Sequence, residues 1–379
     1  MEAPNRLADI EDKSSLDGHG GVAAGRETDV DIARRQEKRL ARSLCHRLDD
    51  RQPSSALCRK AAPDGCETAT LSDDALPNAS PAVRTTGGVR RSEWVLWAFL
   101  AYAAIMARVA PLPQTASART IGLNLTLLAF YALLVVRDKA KPHEYMSIAR
   151  DWLPFILTLL AYLEMGWFAV PHAAHSLEER WIIWDHAILR SGGKAVIESL
   201  GPVLPSILEV AYLLVYALGP FSVAMLYAYR CRNRVDQFLF LFLVGILLCY
   251  AQYPFWPSEP PRTVFPADNL PEYLTVFRRW NLWLLGKGGI HTSVFPSGHV
   301  AAAFSAAAGM WLFLPEHKWV GRFLGVTAAL IAVATVYGRY HYFADAAAGL
   351  LMAGVAVLIA RPFHLSRNTR TRDQHQPDP

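Results

Sequence analysis

The sequence predicts an all-α fold, a polytopic bundle of transmembrane helices, on three observations. Hydrophobic residues make up 52% of the 379 positions but fall in long blocks that begin only near residue 93. Those blocks approach the ~20 apolar residues that a helix needs to cross a bilayer core. Arginine and lysine gather at every second gap between blocks, as the positive-inside rule expects of cytoplasmic loops.

Residues 1–88 are polar and charged, and no apolar core follows the N-terminus as a secretory signal would require. This stretch reads as a disordered cytoplasmic tail. Within it, Asp29 to Leu48 has the composition of a basic helix able to touch anionic lipid. The apolar blocks then predict eight helices, near 93–111, 119–137, 149–171, 204–229, 236–256, 296–314, 321–339 and 343–361. The gaps carry charge, Pro or Gly. The last gap, Gly338 to Tyr342, is short enough for its two helices to be taken as one. A polar tail, 362–379, closes the chain.

Charge orients the bundle. Arg90, Arg91, Arg137, Lys139, Lys141, Arg230, Arg232, Arg234, Lys318, Arg322, Arg361, Arg367, Arg370 and Arg372 fall on one side if the helices alternate. That side is predicted to be cytoplasmic. The opposite gaps balance Glu178, Glu179 and Asp185 against Arg180 and Arg190. Residues Trp181 to Leu189 are too few and too polar to span, and suit a helix lying in the outer interface. Small residues at 301–309 and 346–349 would let two helices approach closely. Five cysteines (Cys45, Cys58, Cys66, Cys231, Cys249) form no metal-type pair and no disulfide framework. No metal-ligand set is visible, and nothing points to nucleic acid.

The chemistry lies at the non-cytoplasmic ends. Pro296, Ser297, Gly298 and His299 open one apolar block, with Pro296 expected in the first helical turn, where its missing N–H costs nothing. A helix start offers backbone N–H groups and a positive dipole end to an anion. Gly298 would let a ligand approach the backbone, and Ser297 would add a hydroxyl. His341 and Asp345 are four apart, on one face if a helix has begun. A carboxylate on one ring nitrogen fixes the tautomer and leaves the other nitrogen nucleophilic. Arg262, in the Pro-Pro-Arg run after the fifth block, offers a planar fork of donors to phosphate oxygens. Each piece alone has a plainer reading. A histidine at a helix end also caps, His-x3-Asp arises by chance, and Pro-Pro-Arg ends a helix. Their convergence on one membrane face points to function.

These runs resemble the PAP2 superfamily of phosphatases, whose signatures are Lys-x6-Arg-Pro, Pro-Ser-Gly-His and Ser-Arg-x5-His-x3-Asp. The second is complete at Pro296 to His299, and the third is matched at His341 and Asp345. The resemblance covers about 149–361 as a six-helix core, with 89–148 as two additional helices. It implies His341 as the nucleophile that forms a phosphohistidine, His299 as the acid for the leaving alcohol and Asp345 as the group orienting His341. Thr335 stands in place of the third motif's arginine, and no lysine precedes Arg262 by seven residues. Arg339 either replaces a lost phosphate contact or anchors the interface. This pattern, with Trp184 and Asp185 ahead of the fourth helix, is similar to the branch that includes inositol phosphorylceramide synthases.

Glu164 and Glu209 sit within apolar runs, where ionisable groups are often functional. Glu164 reads as interfacial, and Glu209 stays open between the two roles. His172, His175, His186 and His291 read as interfacial. The resulting expectation is a metal-independent enzyme, without cofactor, acting on a lipid phosphate among membrane lipids, as a phosphatase or as a phospho-head-group transferase. A non-catalytic carrier or scaffold is the alternative of another class. A compact chain with an outward-facing site suits a bacterial inner membrane.

Overall fold

The computed structural model describes residues 88–168, 174–290 and 294–373, with side chains through residue 362. The chain divides into two units, Met1–Asn78 and Ala79–Pro379. The first unit lies outside the described residues, as do the basic helix expected at Asp29 to Leu48, Cys45, Cys58, Cys66, His172 and His291. The side chains of Arg367, Arg370 and Arg372 do too.

All regular elements among the described residues are helices. They are α1 (Arg91–Val109), α2 (Gln114–Ala140), α3 (Glu144–Met165), α4 (Ser176–Ile188), α5 (Lys194–Glu198), α6 (Val203–Ala228), α7 (Val235–Tyr250), α8 (Pro261–Val264), α9 (Val276–Gly288), α10 (Gly298–Phe313), α11 (Lys318–Tyr337) and α12 (Phe343–Asp373). Seven are long and apolar enough to cross a membrane once flanking turns are included: α1, α2, α3, α6, α7, α11 and α12. With α10 they occupy the eight apolar blocks. Helix α10 has 16 residues, about 24 Å at the α-helical rise and short of the ~30 Å hydrocarbon thickness. It starts inside the bundle, and Gly298 is buried. Helices α11 and α12 are separate, divided by a turn at Gly338–Tyr342.

Two elements differ from the expectation. Helix α3 begins at Glu144 and ends at Met165, against an expected 149–171. The start lies five residues earlier than expected, so Arg150 and Asp151 sit well inside the helix, where buried partners neutralise them. Helix α9 falls in what reads as a loop, and its amphipathicity is inverted. Arg278, Asn281 and Leu285 face inward, while Trp280, Trp283 and Leu284 are exposed.

Helix α7 is the centre of the bundle, packed by α1, α3, α10 and α12. Its leucine and phenylalanine side chains are buried almost all round. One end of the bundle is tied by ion pairs that bring α1, α2 and α3 together. Arg150 donates to both oxygens of Glu93 (2.7 and 2.8 Å) and to Asp138 (2.5 Å). Asp151 accepts from Arg90 and Arg232 and from the Tyr227 hydroxyl. Asp236, at the start of α7, accepts the Ser92 N–H at 3.0 Å and so caps the start of α1. Charges buried this deeply persist only when each has its partner.

The opposite end carries the site, and a close helix approach builds it. A Cβ on Gly349 of α12 would overlap the Ser297 carbonyl oxygen and press on Val300. The carbonyl is backbone and cannot swing aside. Gly349→Ala is therefore expected to cost about 1–3 kcal/mol through overpacking. It should also lower activity further than stability accounts for, because α12 carries Asp345 and α10 carries His299. Thermal unfolding in detergent, set beside turnover, checks both.

Candidate active site

Ser297 is the N-cap of α10, its hydroxyl accepting the Val300 N–H at 3.4 Å. Serine is a preferred N-cap because its short oxygen reaches a free helix-start donor. Pro296 therefore precedes the cap instead of occupying the first turn, which corrects the expectation for that residue. The Ser297 N–H donates to the Asp345 carbonyl at 3.0 Å, joining the starts of α10 and α12. Gly298 is covered by Tyr250 and Tyr253, so its missing side chain leaves room for tyrosine rings.

His299 and His341 meet across these helix starts, their ring centroids 5.5 Å apart. His341 Nδ1 lies 3.3 Å from Asp345 Oδ2, which also accepts the Tyr342 N–H at 2.9 Å. The carboxylate is thus held by backbone before it meets the ring. With the proton on Nδ1, Nε2 is the nitrogen left with a free lone pair. Burial, and after it the Arg262 charge, push the His341 imidazole down to about 3, against a hydrogen bond to the Val294 backbone. His341 is neutral at ordinary pH, as a nucleophile must be. His299 Nε2 is buried and has no hydrogen-bond partner among the described residues. Its ring lies parallel to Tyr212 at 4.8 Å and edge-on to Tyr216 at 6.0 Å.

Both histidines, Arg262, Tyr162, Tyr212, Tyr253 and Tyr340 line one cavity of about 20 Å³, enough for roughly one water molecule. Arg262 enters it from α8, with its guanidinium 5.7 Å from the Tyr340 ring centroid. A phosphoryl group would need this cavity to widen. Arg262→Lys replaces a fork by a point charge, and kcat/KM is expected to fall by about 10²-fold. Initial rates over a substrate series measure it.

The other candidates lie elsewhere. Arg339, fully buried with φ of 60°, directs Nη1 to Asp185 at 2.5 Å and does not line the cavity. Glu209 is buried, bonded to Arg278 (2.8 Å), Asn281 (2.7 Å) and the Tyr340 hydroxyl (2.6 Å). Glu164, next to the last residue of α3, is buried against Asn124 of α2. His186 meets Asp268 at 2.5 Å, and His175 lies 3.7 Å from Glu178. Tyr212, Tyr340 and Arg278 shape the site without standing out in the sequence. A tyrosine in an apolar helix looks like core, and an arginine in a loop looks like solvent-facing charge. The spacing of Glu209, Tyr212 and Tyr216 on one helical face was the available signal.

His341 with Asp345, His299 and the buried Arg262 thus meet at one end of a helical bundle, seven of whose helices are long and apolar enough to cross a membrane. Residues 194–359 match the family model described as the PAP2 superfamily. The matched segment includes Pro296 to His299, His341 and Asp345. The chain is also similar to a PA-phosphatase related-family protein of Dictyostelium discoideum, with 27% identity over 262 residues, 62% of this chain and 43% of that protein. The match thus spans less than half of that relative's length. No solved structure matches the chain.

Proposed function

We propose that this protein is an integral membrane lipid phosphatase working through a phosphohistidine. The observation that carries the reading is the pair of buried histidine rings 5.5 Å apart at one cavity with Arg262, one of them backed by Asp345. His341 Nε2 attacks phosphorus, and the P–O bond to the lipid alcohol breaks. The departing oxygen takes a proton from His299. Arg262 holds the equatorial oxygens as charge builds on them. Water then attacks the phosphohistidine, giving its proton to His299, and the P–N bond breaks to release phosphate and restore both rings. A lipid substrate is supported by an apolar cleft of about 100 Å³ between α3, α6 and α7 that ends on His299, lined by Phe155, Leu159, Val215 and Ile246. The site would face the non-cytoplasmic side, with the Arg-rich ends inside. Both termini would then be cytoplasmic, and a bacterial inner membrane suits the arrangement.

A second reading, transfer of a phospho-head-group to another alcohol as in the inositol phosphorylceramide synthase-like branch, is favoured by the charge of the cavity. Among the described residues that line it, Arg262 alone is cationic. Arg278 is committed to Glu209 and Arg339 to Asp185. A phosphate monoester carries about −1.5 to −2 at neutral pH, more than one buried guanidinium balances, whereas a diester carries a single charge. The test uses purified protein in detergent with phosphatidic acid labelled in its phosphate, and with a matched labelled diester, each with and without a polyol or lipid alcohol. Free labelled phosphate from phosphatidic acid supports the phosphatase. Label passing from the diester to the added alcohol supports the transferase. Absence of turnover across several lipid phosphates would sink both and leave a non-catalytic carrier or scaffold.

A further inference from the structure

Glu209 and Arg278 are a buried ion pair that the reaction above does not use, and they stand at the far end of a stack of rings that ends on His299. Glu209 accepts the Tyr340 hydroxyl at 2.6 Å and is fixed by Arg278 and Asn281. The Tyr340 ring lies 4.2 Å from that of Tyr212, 21° from parallel. Tyr212 then lies 4.8 Å from His299, 11° from parallel. Glu209 and Tyr212 are three apart on α6, so one helix carries both the anchor of Tyr340 and the ring that meets His299.

His299 lacks what His341 has. His341 has Asp345, but among the described residues the charged and titratable groups around His299 include no carboxylate. They are Tyr212 and Tyr216 from α6, Tyr162 from α3, Tyr250 and Tyr253 from the end of α7, Arg262 from α8 and His341 from the turn before α12. Its buried Nε2 has no hydrogen-bond partner among the described residues to orient the ring. What fixes the imidazole plane is the parallel face of Tyr212. An aromatic face also attracts a cation placed over it, and more strongly where water is excluded.

We propose that Tyr212 is a positioning residue for His299: its ring, held against Tyr340 and through it by Glu209, keeps the imidazole in the plane from which it protonates the leaving oxygen and favours the protonated ring. This rests on His299 being the acid. The sign follows directly. The acid works only while protonated, so turnover falls above its pKa in the substrate complex. Removing the aromatic face weakens the protonated form and moves that falling limb to lower pH.

The experiment compares full-length wild type, Tyr212→Phe, Tyr212→Leu and His299→Ala, measuring kcat and KM against pH on the lipid phosphate that the wild type turns over fastest. Tyr212→Phe keeps the face and is expected to stay within about threefold of wild type, with an unshifted profile. Tyr212→Leu is expected to lose about tenfold in kcat with KM little changed, and its falling limb should move down by about half to one pH unit. A merely structural role would lower activity without moving the limb. The proposal is overturned if Tyr212→Leu keeps the wild-type profile, or if Tyr212→Phe is as impaired as Tyr212→Leu, since the hydroxyl would then be what matters. Should Tyr212→Leu fail to elute as a single folded species, Tyr212→Met gives similar reach without a π face and is held to the same outcomes. Full turnover by His299→Ala would instead remove the acid assignment itself, a separate failure.

Discussion

Replacing His341 by alanine is expected to cut turnover by on the order of 10⁴-fold or more, as removal of an attacking group does when the remaining machinery acts only through it. The labelled intermediate should vanish with it. Wild type quenched in base during turnover should carry phosphate on protein, and His341→Ala should carry none. Label trapped on another residue would refute the assignment. The same residue makes a pH prediction. Burial first, and the Arg262 charge second, hold His341 down to about 3 in the folded chain, against about 6.5 for an unperturbed histidine. Its contribution to stability is therefore fully present above ~6.5 and is lost progressively as pH falls toward 3, because only the unfolded chain readily takes the proton. Unfolding midpoints between pH 7 and pH 4 should fall less in His341→Ala than in wild type. Equal slopes in the two would mean that the ring is wetter than its surroundings indicate.

How much of this was legible in the sequence depends on what each residue had to reveal. Membrane helices declare themselves locally, since a run of apolar residues near bilayer length has few other uses. The eight blocks accordingly became helices with shifts of a few residues. The candidate residues Pro296 to His299, His341 and Asp345 were legible for a different reason. Each sits where an apolar block begins, and a polar group there has to be explained. Helix α9 was hidden because its polar residues face the protein and its tryptophans face outward, the reverse of a soluble amphipathic helix. The start of α3 lies earlier than expected because Glu144, Ser147, Arg150 and Asp151 blur the edge of the apolar block, and the partners of the last two, Glu93, Arg90 and Arg232, are far away in sequence. Tyr212 was hidden among aliphatic neighbours, where a ring is ordinary. Contacts between distant segments are the common factor in these misses.

The pair of Arg339 and Asp185 is the extreme case, 154 residues apart and both fully buried, and removing half of it is expected to be the most destabilising single change at this end of the bundle. Asp185, on α4, grips both ends of the turn that bears His341. One oxygen accepts from Arg339 Nη1 at 2.5 Å and the other accepts the Phe343 N–H, at the start of α12, at 2.8 Å. Between these two points lie Tyr340, His341 and Tyr342. Arg339 holds a left-handed backbone with φ of 60°, a conformation that costs a non-glycine residue on the order of 1 kcal/mol or more and persists only when its surroundings fix it. Asp185→Asn leaves the buried guanidinium with only Asp268, 3.7 Å away, as counter-charge, and is expected to cost about 3–5 kcal/mol. Turnover should fall with it, because the height of His341 beside His299 then rests on the hydrogen bonds that remain, such as that from the His341 N–H to the Thr335 carbonyl at 3.0 Å. Removing both charges, in Asp185→Asn with Arg339→Met, relieves the poorly paired cation and should recover much of the unfolding midpoint. The double variant separates two roles for Arg339. If its guanidinium serves only to hold the turn, the recovered protein should keep a wild-type KM and lose only kcat. If the arginine also meets the phosphate, as the sequence left open, KM should rise in the double variant while stability returns. An Asp185→Asn protein with wild-type midpoint and turnover would show that the turn stands without the pair.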